Sequence, residues 1–415
     1  MTQTTIALGI RVNRHQILLQ ILQIFLVGLT IGMTRVVIPG MAESDFGLAA
    51  NSFLMLTSFV VVFGAVKAVM NLLAGNLSER FGRKSVLIAG WLVAIPIPFI
   101  LHWASSWNWV IAATVLLGFN QGLTWSMALN SKLDLAKTSQ KGLINGLNEF
   151  AGYAAVGLAG VITAKLVGYF GARAGLFIFN SVVIGSGLML AVFTISETLP
   201  WAALHRTKAS FGHPSEDKQT LGQLFRFASL QNKPLIALNQ AGLVEKFTDA
   251  LIWIFLPVFF LNSGLSLVQA GSVIAVYGVT WGALQLVTGP LSDRIGRKGL
   301  IVWGMVLSGS GVLSIPFTTS IAFWTLESAL VGVGMAMLYP NLGAAVGDFS
   351  PVQTRASLIG IYRFWRDSGY AFGALVMGLL AQWSGSMVMP FLFVGLSMIV
   401  SAIWLQRWVP KNPQK

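Results

Sequence analysis

The sequence GNLSERFGRK at residues 75–84 is a charged turn between two long apolar runs, and a second version of it, GPLSDRIGRK, occupies residues 289–298. Seven of the ten positions are identical and an acid stands opposite an acid at an eighth, all at one offset of 214 residues. An ordered run of this kind is not expected to recur by chance. The repeat therefore predicts that the chain consists of two homologous halves.

The composition predicts an integral membrane protein. Of the 415 residues, 55% are hydrophobic and only 10% are charged, whereas soluble domains carry roughly a quarter charged residues. The formal charge of +13 comes from basic residues in short loops between apolar runs, a pattern that argues against a nucleic-acid-binding surface. Because the chain has no cysteine, disulfides and thiolate metal sites are excluded, and His205 and His213 are too isolated to predict another metal site.

Twelve apolar segments are long enough to cross a bilayer, which takes about 20 residues per helix. Their continuous apolar character predicts helices rather than the alternating strands of a barrel. The predicted spans are residues 17–39, 52–74, 86–104, 109–131, 143–166, 176–196, 235–261, 267–289, 300–317, 321–345, 358–382 and 388–408.

The repeated stretch resembles the G-x-L-(A/S)-(D/E)-R-x-G-R-(K/R) signature of the major facilitator superfamily (MFS), which lies between helices 2 and 3 and, less strictly, between helices 8 and 9. Both versions fall in these places among the predicted spans. The resemblance implies the MFS fold, an all-α integral membrane architecture of 12 transmembrane helices in two pseudo-symmetric halves that rock about a central cavity. We therefore expect an N-terminal half at residues 1–196, a cytoplasmic linker with a short interfacial helix at 197–234, and a C-terminal half at 235–415.

The distribution of basic residues predicts the orientation. With the N-terminus inside, nearly all loop lysines and arginines are cytoplasmic, whereas the opposite loops hold chiefly Arg173 with Glu43 and Asp45. By the positive-inside rule, both termini are expected in the cytoplasm of a multi-pass protein of the cell (inner) membrane. The resemblance implies a monomer.

Ionisable residues inside the predicted helices indicate a cavity, because such residues are costly in lipid and usually face a cavity or one another. The offset pairs Arg35 with Asp249 and Glu149 with Arg363, so equivalent positions of the two halves carry opposite charge. In the resembled fold, the helices that carry these residues line the cavity. We expect an asymmetric polar cavity whose net charge depends on proton occupancy.

Helical spacing suggests which residues carry protons. Glu245 and Asp249 are four residues apart and share a helix face, so mutual repulsion favours protonation of one of them. Glu149 is the third predicted proton-coupling residue. Arg363 and Asp367 are also four apart, which allows an ion pair within the helix, although such a pair can also serve only to hold helices together.

Cationic side chains predict where a solute binds. Arg363, Arg366 and Lys67 are expected to hold a carboxylate or phosphate group, because the resembled fold packs helix 2 beside helix 11. Trp281, which is equivalent to Lys67 by the offset, is expected to form an apolar wall opposite it, and Lys246 is expected on another helix face. The predicted substrate-binding residues are Arg363, Arg366, Asp367, Arg35, Lys67, Gln121, Trp125, Gln285, Trp281 and Tyr339.

The repeated stretch itself is predicted to form a gate. Asp134 and Asp348 are equivalent by the offset, end helices 4 and 10, and are expected to accept hydrogen bonds from the arginines of the two loops. The resemblance implies that these contacts break and re-form during transport. The predicted gate residues are Gly75, Glu79, Arg80, Gly82, Arg83, Asp134, Asp293, Arg294, Gly296, Arg297 and Asp348.

The leading functional prediction is a secondary active transporter that carries out proton-coupled efflux (antiport) of a small organic solute. Two features of proton-driven drug antiporters are missing, since Gly118 replaces an arginine and the glycine-rich run 152–160 has no proline. The alternatives are proton-coupled uptake (symport) of an organic anion and a non-transporting receptor or scaffold. No cofactor is expected, with the proton gradient as the driving force, and no catalytic motif predicts an enzyme.

Overall fold

The computed structural model of the chain describes residues 7–49, 52–137, 140–202, 204, 220–351 and 354–410. Nearly all of these residues are helical, because a backbone in lipid has to satisfy its hydrogen bonds internally. The long helices of the first half are α1 (Arg14–Ser44), α2 (Phe53–Phe81), α3 (Arg83–Trp103, interrupted after Ala94), α4 (Trp107–Leu135), α5 (Lys141–Phe170) and α6 (Ala172–Phe193). Those of the second half are α7 (Lys233–Asn262), α8 (Leu267–Ile295), α9 (Arg297–Phe317, with a 3-10 turn at its end), α10 (Ile321–Asp348), α11 (Arg355–Ser384) and α12 (Val388–Trp408).

Within the described ranges, ten of these helices are long and apolar enough to cross a membrane. The other two, α7 and α11, have 30 residues each and are therefore also long enough. Both carry three ionisable residues close together near the middle of the helix, which lowers their apolar character. The multi-pass helical membrane fold is confirmed, and the count of twelve spans stays a prediction.

The two versions of the repeated stretch form the same helix break. Gly82 separates α2 from α3 with φ 89°, and Gly296 separates α8 from α9 with φ 93°. Both angles lie in the left-handed region, where glycine has no steric penalty because it lacks a Cβ atom. The glycine thus allows a charged helix end to turn directly into the next helix.

The two halves meet along α2 with α11 and along α5 with α8, and glycines allow these helices to approach closely. A Cβ atom on Gly64 would lie 2.5 Å from the backbone nitrogen of Ala371, and one on Gly278 would lie 2.9 Å from the Cα of Gly157. Such small residues are typical of helix contacts in membranes, where packing replaces the hydrophobic effect between helices.

These contacts are closer on one side of the bundle than on the other. We call the side that holds the chain ends and both glycine breaks the terminal side, and the opposite side the distal side. Close contacts lie in the middle and distal parts of the four helices. By contrast, a Cβ atom added to the glycines nearer the terminal side would have no described atom of another segment within 4 Å, which applies to Gly75, Gly146, Gly289 and Gly360. The close glycine contacts between the halves therefore lie away from the terminal side.

The linker ends in a short helix, Leu221–Arg226, followed by a π-helical turn, Phe227–Gln231. Phe225 stacks on Trp365 of α11 with ring centroids 5.8 Å apart, and the Trp365 indole donates a hydrogen bond to Ser229 over 2.8 Å. The predicted short helix is present, and it is attached to the second half by these contacts. The middle of the predicted linker, with His205 and His213, lies outside the described residues.

Candidate functional site

Arg35 of α1 and Asp249 of α7 form a two-point ion pair that joins the two halves. Arg35 Nη1 donates to Oδ1 and Nη2 donates to Oδ2, the latter over 3.0 Å. Tyr277 donates to Oδ1 over 3.3 Å, and Tyr370 donates to Oδ2. The sequence identified the pair as equivalent positions, and the structure places them in direct contact. Because both oxygens of Asp249 already accept two hydrogen bonds, the contacts do not favour its predicted role as a proton carrier, which stays a prediction.

Lys246 lies at the centre of this cluster, so its expected position on another helix face was wrong. Its ammonium is 3.0 Å from Glu245 Oε1 and 3.5 Å from Asp249 Oδ2, and it donates a hydrogen bond to the Tyr153 hydroxyl over 3.1 Å. The expected repulsion between Glu245 and Asp249 is thus offset by a cation. The sequence already indicated this arrangement, since Lys246 and Asp249 are three residues apart and therefore share a helix face.

Asp367 pairs with the neighbouring Arg366, and the ion pair with Arg363 that the four-residue spacing allows is not formed. Arg366 Nε and Nη2 contact the two carboxylate oxygens over 2.8 and 3.1 Å, and Nη1 donates to the Tyr339 hydroxyl over 3.0 Å. Asn71 of α2 donates to the same carboxylate. An arginine side chain is long enough to reach the carboxylate of the adjacent residue as well as that of a residue one helical turn away.

Among the described residues, Lys67 and Arg363 of the predicted substrate site have no carboxylate oxygen within 4 Å. Lys67 is only 5% exposed and lies 5.4–5.5 Å from the ring centroids of Phe63, Trp125 and Tyr370. Arg363 on α11 also forms no ion pair with any described residue. Unpaired cations in a membrane interior are costly, and they therefore mark a place where an anion can bind.

Lys132 is a buried cation that the sequence reasoning missed. It is fully buried near the end of α4, and its ammonium donates to the Gln20 carbonyl over 3.0 Å. The predicted span ended at residue 131, just before Lys132, whereas in the structure α4 continues to Leu135.

Two predicted proton-coupling carboxylates have incomplete hydrogen bonding. Glu149 accepts a hydrogen bond from Asn148 at Oε1 over 2.8 Å, whereas its buried Oε2 has no partner in the described structure. Glu245 is fully buried, and its contact with Lys246 is out of hydrogen-bond alignment, so neither oxygen has a hydrogen-bond donor there. A carboxyl group with a free oxygen can take up a proton without losing an existing hydrogen bond.

Aromatic rings connect these charged groups across the boundary between the halves. Tyr153 of α5 stacks on Trp281 of α8 with centroids 3.6 Å apart, and Tyr339 of α10 meets both rings edge-on at 5.2 Å. Trp281 lies 4.9 Å from the Lys246 ammonium, so the ring that was expected opposite Lys67 is a neighbour of Lys246. Trp125, in turn, is a direct neighbour of Lys67.

Gln121 and Gln285 are both fully buried but differ in their surroundings. The Gln121 amide donates to the Val27 carbonyl over 2.9 Å and to the Thr30 hydroxyl over 2.8 Å, which links α4 to α1. The Gln285 amide has no hydrogen-bond partner in the described structure. Gln285 thus has unused hydrogen-bonding capacity in the described structure. Substrate binding by Gln121 and by Gln285 stays a prediction.

The sequence pattern of the Major Facilitator Superfamily matches residues 21–244 and 238–415, which is almost the whole chain. This chain belongs to that superfamily. The MFS protein is 24% identical over 412 residues to a probable nitrate/nitrite antiporter of Thermus thermophilus, a match that covers 90% of this chain and 86% of the relative. It is 25% identical over 343 residues to a class G tetracycline resistance protein of Vibrio anguillarum, covering 78% and 81% of the two chains.

The fold of the MFS protein is also that of a solved transporter. The crystal structure of a D-xylose-proton symporter aligns with a TM-score of 0.74 at 18% identity, covering 95% of this chain and 98% of the other. Family, relatives and fold thus identify a multi-pass membrane transporter that works by secondary transport, and not an enzyme.

The predicted gate contacts of the MFS transporter are present in both halves. Arg83 Nε lies 3.1 Å from Asp134 Oδ2, and Arg297 Nε lies 2.5 Å from Asp348 Oδ2. Arg297 also contacts Asp293 over 2.9 Å. The first pair is almost buried and the second is a quarter or more exposed. The roles of these and the other gate residues stay predictions.

Glu197 is a further part of this region that the sequence reasoning assigned only to the linker. Its carboxylate accepts hydrogen bonds from the backbone nitrogens of Arg83 over 2.9 Å and of Lys84 over 3.1 Å, at the start of α3. The neighbouring Thr198 donates to Asp134 over 3.1 Å. An acid is favourable at a helix N-terminus, where the free N–H groups carry partial positive charge. The segment that follows α6 is thereby connected to the predicted gate.

Proposed function

We propose that this transporter moves a small organic anion by alternating access. The observation that carries the proposal is the excess of cations in the helices that surround the site. Six cationic side chains stand against the four carboxylates of Glu149, Glu245, Asp249 and Asp367, and three of these cations, Lys67, Lys132 and Arg363, form no ion pair with a carboxylate in the described chain. The cations are Arg35, Lys67, Lys132, Lys246, Arg363 and Arg366.

Proton coupling through Glu245 or Glu149 follows from the same charges. A proton on either carboxylate leaves a neighbouring cation without its opposing charge, which strengthens the attraction for an anion. Proton and anion then bind cooperatively, and cooperative binding of the two is the requirement for symport. The geometry therefore supports proton-coupled uptake of an organic anion.

Proton-coupled efflux is the second candidate. It is favoured by the similarity to a tetracycline resistance protein over 78% of the chain. The distinction lies in the sign of the coupling, because an antiporter needs proton and solute to compete for the site, whereas a symporter needs them to bind together.

We further propose that the terminal side faces the cytoplasm and that the transporter works as a monomer. The helix starts on this side carry Arg83, Lys84, Arg297 and Lys298, as the positive-inside rule requires. The closely packed distal side then represents the outer side, closed to the exterior. Rocking of the halves has to separate α2 from α11 and α5 from α8 at their distal parts to admit solute from outside.

The binding test compares anions, zwitterions and cations by thermal shift with the purified transporter. We expect stabilisation by anions, and loss of it in Lys67→Gln but not in Lys165→Gln, a matched control on the exposed surface of α5. Stabilisation by cations alone would refute the anion proposal.

The transport test measures flux of a stabilising anion into proteoliposomes under an imposed proton gradient. We expect accumulation driven by an inward proton gradient, and loss of that dependence in Glu245→Gln or Glu149→Gln. An inward proton gradient that instead drives the anion out would support efflux by antiport. Flux that does not depend on the proton gradient would exclude proton coupling. Binding of the anion without any flux would support a receptor function.

A further inference from the structure

Six aromatic side chains converge on the unpaired and paired cations of the site. They come from six helices on both sides of the boundary between the halves, and Lys67, Lys246 and Arg366 all lie within 5.5 Å of at least one ring centroid. The rings belong to Phe63, Trp125, Tyr153, Trp281, Tyr339 and Tyr370. Resting on the anion transport proposed above, we propose that the solute is a planar aromatic acid.

The repeat reveals that the two seams between the halves differ in chemistry. On the α2–α11 seam, Asn71 donates to Asp367 close to Lys67. By the offset of 214 residues, the α5–α8 seam holds Gln285 in place of Asn71, Tyr153 in place of Asp367 and Trp281 in place of Lys67. One seam is charged and its equivalent is aromatic. A solute held between them is best matched by an anionic group at one end and an aromatic ring at the other.

The anionic group fits best at Lys67. Lys246 is balanced by Glu245 at 3.0 Å and by Asp249 at 3.5 Å, whereas Lys67 lies against ring faces and has no carboxylate oxygen within 4 Å among the described residues. Both ammonium groups touch the Tyr370 ring, at 5.4 Å for Lys67 and 5.3 Å for Lys246. The unpaired cation and the balanced cluster are thus neighbours, and a carboxylate on Lys67 would leave the rest of the solute beside the rings.

The aromatic body fits at the contact between Tyr153 and Trp281. These two rings belong to different halves and stack at 3.6 Å with an interplanar angle of 27°. Rocking of the halves separates them and exposes two ring faces, and a planar ring is the shape that covers both.

Two unpartnered donors support a polar substituent on that ring. Trp281 and Gln285 are fully buried on the same face of α8, four residues apart, and neither the Trp281 indole nitrogen nor the Gln285 amide has a hydrogen-bond partner in the described structure. Buried polar groups are usually paired, so a ligand that supplies an acceptor accounts for both.

The experiment measures binding of benzoate and cyclohexanecarboxylate to the full-length transporter by isothermal titration. The two acids have the same charge and similar size, but only benzoate has an aromatic face. We expect cyclohexanecarboxylate to bind about tenfold more weakly, since it lacks the ring contacts. Trp281→Leu should remove this preference, whereas Trp281→Phe, which keeps a ring, and Trp303→Leu, at a 62% exposed position on α9, should retain it.

Benzamide and benzylamine separate this inference from the anion proposal. Equal binding of the two acids, or binding of neither at millimolar concentration, would overturn the aromatic acid while leaving other anions possible as solutes. Benzamide binding as tightly as benzoate would show that the ring is recognised and the charge is not, which overturns the anionic group at Lys67. Binding of benzylamine alone would overturn both proposals.

Discussion

Replacing Gly64 by alanine is expected to open the distal side of the transporter. A Cβ atom at this position would lie 2.5 Å from the Ala371 backbone nitrogen and 2.5 Å from the Tyr370 Cβ, across the boundary between the halves. Neither neighbour is the end of a flexible side chain. Because α11 cannot yield locally, α2 and α11 have to move apart.

The magnitude follows from two opposing effects. Overpacking a close contact costs about 1–3 kcal/mol. The gain of about 1 kcal/mol in helix propensity from glycine to alanine applies to both conformations and cancels between them. The conformation with the closed distal side is therefore disfavoured by about 1–3 kcal/mol, which changes its population ratio roughly 5- to 150-fold.

The absence of cysteine in the chain makes the assay simple. Cysteines placed at Leu54 and Gln382, where a backbone nitrogen and a side-chain oxygen are 3.5 Å apart on the distal side, report closure through the yield of a short bismaleimide crosslink. We expect a high yield in the otherwise unchanged chain and a much lower one with Gly64→Ala. Gly75→Ala is the matched control on the same helix, since no described atom of another segment lies within 4 Å of its added methyl group. Equal yields in the two variants would refute the reasoning.

Three further predictions concern stability. Arg35→Ala should lower the Tm strongly, because it leaves Asp249 buried and unpaired at a cost of about 3–5 kcal/mol. Adding Asp249→Asn should recover part of the loss. A double variant as unstable as the single one would contradict this prediction. Glu197→Gln should destabilise the transporter by about 0.3–1 kcal/mol at low salt, and the difference from the original chain should shrink as salt is added. Ser229→Ala should cost about 1 kcal/mol in Tm measurements by removing the hydrogen bond from Trp365, and an unchanged Tm would show that ring stacking alone holds the linker helix.

Much of the fold could be predicted from the sequence because a lipid environment permits few backbone conformations. Long apolar segments have to be helices, and the repeated stretch with its glycine fixes where α2 turns into α3 and where α8 turns into α9. The same repeat pointed to the contacts of Arg83 with Asp134 and of Arg297 with Asp348, since both pairs have the same spacing in each half.

The charged site could be predicted only in part. The sequence shows which helices carry charges. It does not show which carboxylate a lysine or arginine contacts, because that depends on side-chain packing and not on residue spacing alone. Arg366 pairs with the adjacent Asp367, and Lys246 lies in the cluster beside Asp249. The residue spacing was equally compatible with other pairings of these side chains. Lys132 was missed for another reason, since helix ends are the least determined feature of a sequence pattern.

The contact between Arg35 and Asp249 has a consequence for where the transport site lies. The two residues are 214 positions apart and therefore occupy equivalent positions in the two halves. Equivalent positions can touch each other only at the pseudo-two-fold axis that relates the halves. The ion pair thus marks the axis, and its opposite charges break the symmetry there. The difference between the charged α2–α11 seam and the aromatic α5–α8 seam extends the same asymmetry outward, so the duplicated scaffold gives the proposed site two chemically different ends.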